Sequence, residues 1–146
     1  MTSFMQEALS EARAAQKAGE VPVGCVIVRD GKVVARTRNA TLAARDPTAH
    51  AELLAIRAAA AALGSERLVD CDLYVTLEPC PMCAAAIALA QIRRLYFAAY
   101  DPKGGGVEHG VRLFASPTCH HRPEVYSGIA EGEAAALLRD FFAARR

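Results

Sequence analysis

Apolar residues recur at helical spacing near the start of the chain. Phe4, Met5, Ala8, Leu9 and Ala12 share one face, which predicts an amphipathic helix over residues 3–18. Ser3 followed by Gln6 is a capping-box pattern, and Gly19 is a natural stop. The period then shortens to two. Strands at 23–28 and 32–37 flank Arg29-Asp30-Gly31, and the Asp-Gly pair signals a hairpin turn. An alanine-rich helix follows from about 49 to 63, with Asp46 placed to cap it, Pro47 at the tolerated first position and Gly64 at its end. Residues 73–77 read as an apolar strand, 81–91 as a helix opened by Pro81, and 94–98 as the next strand. Lys103-Gly104-Gly105-Gly106 reads as a flexible turn. A polar loop then leads to a last strand at 125–129 and a helix at 131–144 with an apolar stripe of Leu137, Leu138 and Phe141.

Alternating strands and helices demand parallel strands with helices covering the sheet, and the opening hairpin makes that sheet mixed. The class is α/β. With 146 residues and no internal repeat or linker, a single domain over 1–146 is expected. Apolar residues at 53% and charged ones at 23% describe a globular chain rather than a disordered one. The net charge of +1 excludes a fold-wide basic field, so an RNA partner would have to meet a local patch. Residues 1–19 lack the basic and apolar regions of a secretion signal, and no run of about 18 apolar residues could span a membrane. Five cysteines, two of them in one Cys-x-x-Cys, favour thiolate metal ligands in a reducing compartment over disulfides. A cytoplasmic location is expected.

The chemistry is concentrated in two blocks. His50-Ala51-Glu52 lies at the start of one helix, and Pro79-Cys80-Pro81-Met82-Cys83 at the start of another. One imidazole and two thiolates are three good zinc ligands, and three leave a position for water, whose pKa zinc can lower to roughly 7. Helix N-termini help keep the cysteines ionised. Glu52, two residues beyond His50, does not share its helical face but starts close enough to reach that water as general base and then general acid. Each block alone is a weak signal. Together they form the H-x-E…P-C-x-x-C signature of zinc nucleobase deaminases.

Asp46-Pro47-Thr48-Ala49-His50-Ala51-Glu52 and Tyr74-Val75-Thr76-Leu77-Glu78-Pro79-Cys80-Pro81-Met82-Cys83 resemble the two signature blocks of the cytidine deaminase-like superfamily. More narrowly, the chain resembles bacterial tRNA-specific adenosine deaminases over nearly its whole length. The likeness takes in Val21-Pro22-Val23-Gly24, Asn39, Ala99-Tyr100-Asp101-Pro102-Lys103 and Leu137-Leu138-Arg139-Asp140-Phe141-Phe142 with Arg145-Arg146. It implies a three-layer α/β/α fold around a five-stranded mixed sheet, one zinc ion per subunit and a homodimer. It also implies conversion of adenosine to inosine at the wobble position of a tRNA anticodon. On that template Asn39 would bond the flipped base, Ala51 would offer its backbone amide, and Asp101 would shape the pocket. Phe141, Phe142 and the terminal arginines would lie near the RNA or the partner subunit. Two departures stand out: Cys25 where the family commonly has Ala, and Gly104-Gly105-Gly106-Val107-Glu108-His109 where it often has a Thr-Gly-Ala-Ala-Gly-Ser-like stretch.

Other residues have plainer readings. Cys119-His120-His121 fits a polar loop better than a second metal site. Cys25 and Cys71 read as small buried hydrophobes. Arg93-Arg94 and Arg145-Arg146 could grip phosphates or simply be solvated. Phe141 belongs to the core, while Phe142 is open. The same zinc chemistry on a free guanine- or cytosine-type base or nucleoside is the alternative substrate class, and a zinc-stabilised binding subunit without catalysis is disfavoured by Glu52.

Overall fold

The computed structural model describes residues 3–145, so Arg146 lies outside the described residues. Helix α1 (Phe4–Lys17) starts where Ser3 caps it, the Ser3 hydroxyl accepting from the Gln6 amide at 3.1 Å. Strands β1 (Gly24–Arg29) and β2 (Lys32–Arg38) form the hairpin, with Asp30 and Gly31 both at positive φ as a type I′ turn requires. Helices α2 (Thr41–Ala44), α3 (Ala51–Leu63), α4 (Pro81–Ala90) and α5 (Glu131–Ala143) interleave with strands β3 (Cys71–Leu77), β4 (Arg94–Ala99) and β5 (Glu124–Ser127).

The sheet order is β2-β1-β3-β4-β5. β1 is antiparallel to both its neighbours, whereas β3, β4 and β5 are parallel to one another. It follows that β2, β3, β4 and β5 all point one way, with β1 inserted among them. Alternation along the strands makes two cores. Cys25, Ile27, Leu73, Val75, Leu95 and Phe97 face α3 and α4, while Val26, Val28 and Ala98 face α1 and α5. The expected three layers result. Burying each large side chain of this kind contributes about 1.5–3 kcal/mol. Tyr74, Tyr96 and Tyr126, paired in register across β3, β4 and β5, stack at 4.3 and 4.9 Å and pin the short edge strand.

Several boundaries differ from the sequence expectation for physical reasons. Asp46 does not cap the second long helix. Its carboxylate accepts from the Thr48 amide and hydroxyl, closing a turn, and α3 begins only at Ala51 with His50 as its cap residue. The short α2 was not expected. It exists because buried Glu20 accepts from the Leu42 and Ala43 amides at 3.1 and 2.9 Å. β5 covers 124–127 rather than 125–129. The glycine run at 104–106, expected as a flexible turn, has Gly105 buried against Glu78 and Gly106 buried against the start of α4.

Helix α1 lies directly on β1 at Gly24, where a Cβ would come within 2.0 Å of the Ala8 carbonyl oxygen and 2.6 Å of the Ala12 nitrogen. Gly132, in α5, has nothing within 4 Å of that position. Gly24→Ala is therefore expected to destabilise by about 1–3 kcal/mol or more, and Gly132→Ala to stabilise by about 0.4–1 kcal/mol. Urea denaturation of the two variants checks the opposite signs.

Candidate metal centre and active site

The site forms where the strands that share a direction end. Asn39 follows β2, Glu78 and Cys80 follow β3, and Asp101 follows β4. His50 and Cys80 are the cap residues of α3 and α4, and neither spends its side chain on a cap hydrogen bond. Both helices thus direct their N-terminal partial positive charge at one point. Cys83, one turn into α4, is buried.

His50 Nδ1 lies 3.6 Å from the sulfurs of both Cys80 and Cys83. Ligand atoms of the three residues lie within 4.8 Å of one another, and they are the only such group of potential metal ligands among the described residues. The set suits zinc: two thiolates and an imidazole close enough to share one tetrahedral ion, with one position left over. The two thiols, side by side, act on each other's ionisation. The Cys83 neighbour holds the Cys80 thiol down to about 5, while the Cys80 neighbour and burial push the Cys83 thiol well above its usual range. Burial, followed by the charge of Glu52, raises the Cys25 thiol as well.

Glu52 is 4% exposed. Burial first, and the Cys80 sulfur after it, push its carboxyl up to about 7. It lines a cavity of about 300 Å³ together with His50, Cys80, Asn39, Asp101 and the apolar Val21, Val23 and Leu77. A larger depression of about 360 Å³ lies between α4 and the 113–121 segment; Cys119, His120 and His121 line it, but none of the three metal ligands and no carboxylate does.

The structure distributes the remaining sequence candidates unevenly. Asn39 and Asp101 border the cavity. Where the sequence suggests an Ala51 amide facing the substrate, that amide donates to Asn39 Oδ1 at 2.8 Å. Asp101 Oδ1 accepts from the Gly104 amide at 2.9 Å and the Lys103 amide at 3.3 Å. Phe142 does not line the cavity; it is half exposed on α5, edge-on to buried Phe141. Arg145 folds its guanidinium over the Phe141 ring at 3.5 Å. Arg93 and Arg94 pair with Asp72 and Glu124. His121 bonds the Ile92 carbonyl at 2.7 Å, in keeping with a polar loop rather than a metal site. Sequence reasoning missed Glu20 and Glu78, the two buried carboxylates beside the cavity. Glu20 carried no signal beyond an acidic residue before a buried strand, whereas Glu78 lies inside the Tyr74–Cys83 block and could have been singled out there.

The family profile described as the cytidine and deoxycytidylate deaminase zinc-binding region matches residues 1–99. The chain belongs to the cytidine and deoxycytidylate deaminase family. This deaminase is 61% identical over 145 residues to a tRNA-specific adenosine deaminase of Agrobacterium fabrum, covering 99% of this chain and 95% of that one. A solved tRNA:A34 deaminase that edits A to I at the wobble position superposes with a TM-score of 0.91 and 62% identity, over 92% of this chain and 98% of that one. A guanine deaminase from Bacillus subtilis superposes with a TM-score of 0.68 and 33% identity, over 99% and 94%. The cytidine deaminase-like fold, the deaminase chemistry and the zinc cofactor expected from the sequence hold.

In the metal-free deaminase, Cys80 is ionised above about pH 5 while Cys83 and Cys25 stay protonated. Alkylation at Cys80 is expected to be nearly constant in rate from pH 6 to 8, and zinc should suppress it. Peptide mapping after iodoacetamide treatment checks this; a rate rising about tenfold per pH unit would contradict it.

Proposed function

We propose that this deaminase converts adenosine to inosine at the wobble position of a tRNA anticodon, as a single domain over 1–146 that works as a homodimer. The full-length likeness to tRNA-specific adenosine deaminases carries the reading, because it is laid over a cavity lined by His50, Cys80 and Glu52. A base must leave its stack to enter such a cavity, and a loop nucleotide costs less to extrude than a paired one. A cytoplasmic location is part of this reading, as the compartment in which such an RNA substrate would be met.

His50, Cys80 and Cys83 would hold the zinc. When bound, zinc supplies the Lewis acidity that makes water a nucleophile near neutral pH. Glu52 accepts a proton from the water that attacks the amino-bearing ring carbon. It passes that proton to the ring nitrogen and carries the next one to the departing ammonia. A carboxyl raised toward neutrality by burial is suited to both directions of transfer. With its oxygen engaged by the Ala51 amide, Asn39 keeps its side-chain NH2 to donate to the base. Asp101 shapes the facing wall. Phe142 and Arg145 are left for RNA or the partner subunit.

The dimer reading rests on α4, which carries no charged residue and leaves Leu89 82% exposed. A helix apolar on every side is ordinarily covered, and a second copy would cover this one. No helix among the described residues is long and apolar enough to cross a membrane. The net charge of +1 and the likeness to a guanine deaminase make a free purine the rival substrate.

Inosine should form in an anticodon stem-loop RNA, while free guanine, cytosine and adenosine release no ammonia; turnover of a free base alone would favour the rival. Glu52→Gln should keep one zinc per chain while slowing turnover by about 10²–10⁴-fold or more. Substantial activity in that variant would reject the proton carrier. Light scattering should give twice the chain mass, with Leu89→Glu shifting it toward the monomer.

A further inference from the structure

The Glu78 side chain is fully buried, at 0% exposure, at the end of β3 and two residues before Cys80. An isolated carboxylate there would be costly, so its partners must compensate. All of them come from one segment. Oε1 accepts from the Asp101 amide at 3.0 Å and from His109 Nδ1 at 2.8 Å. Oε2 accepts from the Glu108 amide at 2.9 Å, the His109 amide at 3.0 Å and the Val107 amide at 3.3 Å. Five donors saturate the two oxygens.

The same gathering leaves no room for side chains on two of the glycines in the segment. A Cβ on Gly105 would lie 2.5 Å from the Glu78 carboxylate, and one on Gly106 would lie 2.7 Å from the Pro81 nitrogen. Gly106 donates to the Pro79 carbonyl at 2.8 Å, so the segment is fastened to the start of the helix that carries both cysteines. The same segment supplies Asp101 and Gly104 to the cavity wall.

We propose that Glu78 and His109 form a latch that fixes the 101–110 wall of the substrate cavity and so sets how tightly substrate is held. Both are positioning residues, and the inference rests on that cavity being the substrate site. Four of the five donors are backbone amides that any residue would offer. The imidazole is the one donor that depends on residue type, and its outer edge packs against Tyr100 with the rings 6.1 Å apart. His109 thus locks the wall from the solvent side while Glu78 anchors it from within.

The test compares the zinc-loaded wild-type protein with His109→Ala, His109→Asn and Glu78→Gln. The side-chain amide of Asn can donate from nearly the place of Nδ1, whereas Ala donates nothing. His109→Ala should raise KM for an anticodon stem-loop RNA by roughly tenfold, the scale of one hydrogen bond to a charged group. Its kcat should stay within about twofold, with one zinc per chain and faster hydrogen exchange at the 107–109 amides. His109→Asn should recover most of the KM, and Glu78→Gln should exceed His109→Ala in both KM and exchange. Unchanged KM or exchange in His109→Ala would overturn the latch. So would a loss of zinc or of kcat without a change in KM, or an Asn variant no better than Ala. If the wild type ignores the RNA and deaminates a free base, the tRNA reading fails, and the latch is judged by the same KM pattern on that base.

Discussion

Everything at this site depends on two helix N-termini meeting at the end of one sheet. α3 and α4 each begin with a residue whose side chain is released from capping, and those side chains are an imidazole and a thiol. The backbone charge of both helix starts favours thiolate, and thiolate favours a divalent soft metal. The sheet brings this about through direction. Because β2 and β3 run the same way with β1 between them, the segments leaving both emerge on one side. The general preference of open α/β sheets for sites beyond the carboxyl ends of strands has here a specific cause.

Around that metal centre the protein holds three buried carboxylates with different work. Glu52 faces the cavity with its pKa raised by burial, as suits a group that must both take and give a proton. Glu20 and Glu78 are turned toward backbone amides, each gathering one loop that borders the cavity. Burial would raise Glu78, but the Asp101, Glu108 and His109 donors outweigh it and hold it below the usual carboxylate range. The environment alone separates a proton carrier from an anchor.

Much of this was legible in the residues. The helical spacing of Met5, Ala8, Leu9 and Ala12, the Asp30-Gly31 turn and the Cys80–Cys83 pair are local signals, and local signals survive into the fold. The features that were not legible are those that depend on contacts distant along the chain. α2 needs Glu20 from another part of the chain, and α3 starts late because Asp46 is taken up by Thr48. The glycine run suggested mobility on composition alone. Its closeness to Glu78 and Pro81, set by residues more than twenty positions away, fastens it to the cavity wall instead. Asn39 is expected from the sequence as a base contact; its bond to Ala51 shows that it also completes the start of α3.

The central claim is that one imidazole and two sulfurs share one zinc ion. X-ray absorption at the zinc edge of the purified protein tests it most directly. Two sulfur scatterers at about 2.3 Å and one imidazole at about 2.0–2.1 Å are predicted. A third sulfur, a second imidazole or the absence of zinc would contradict it.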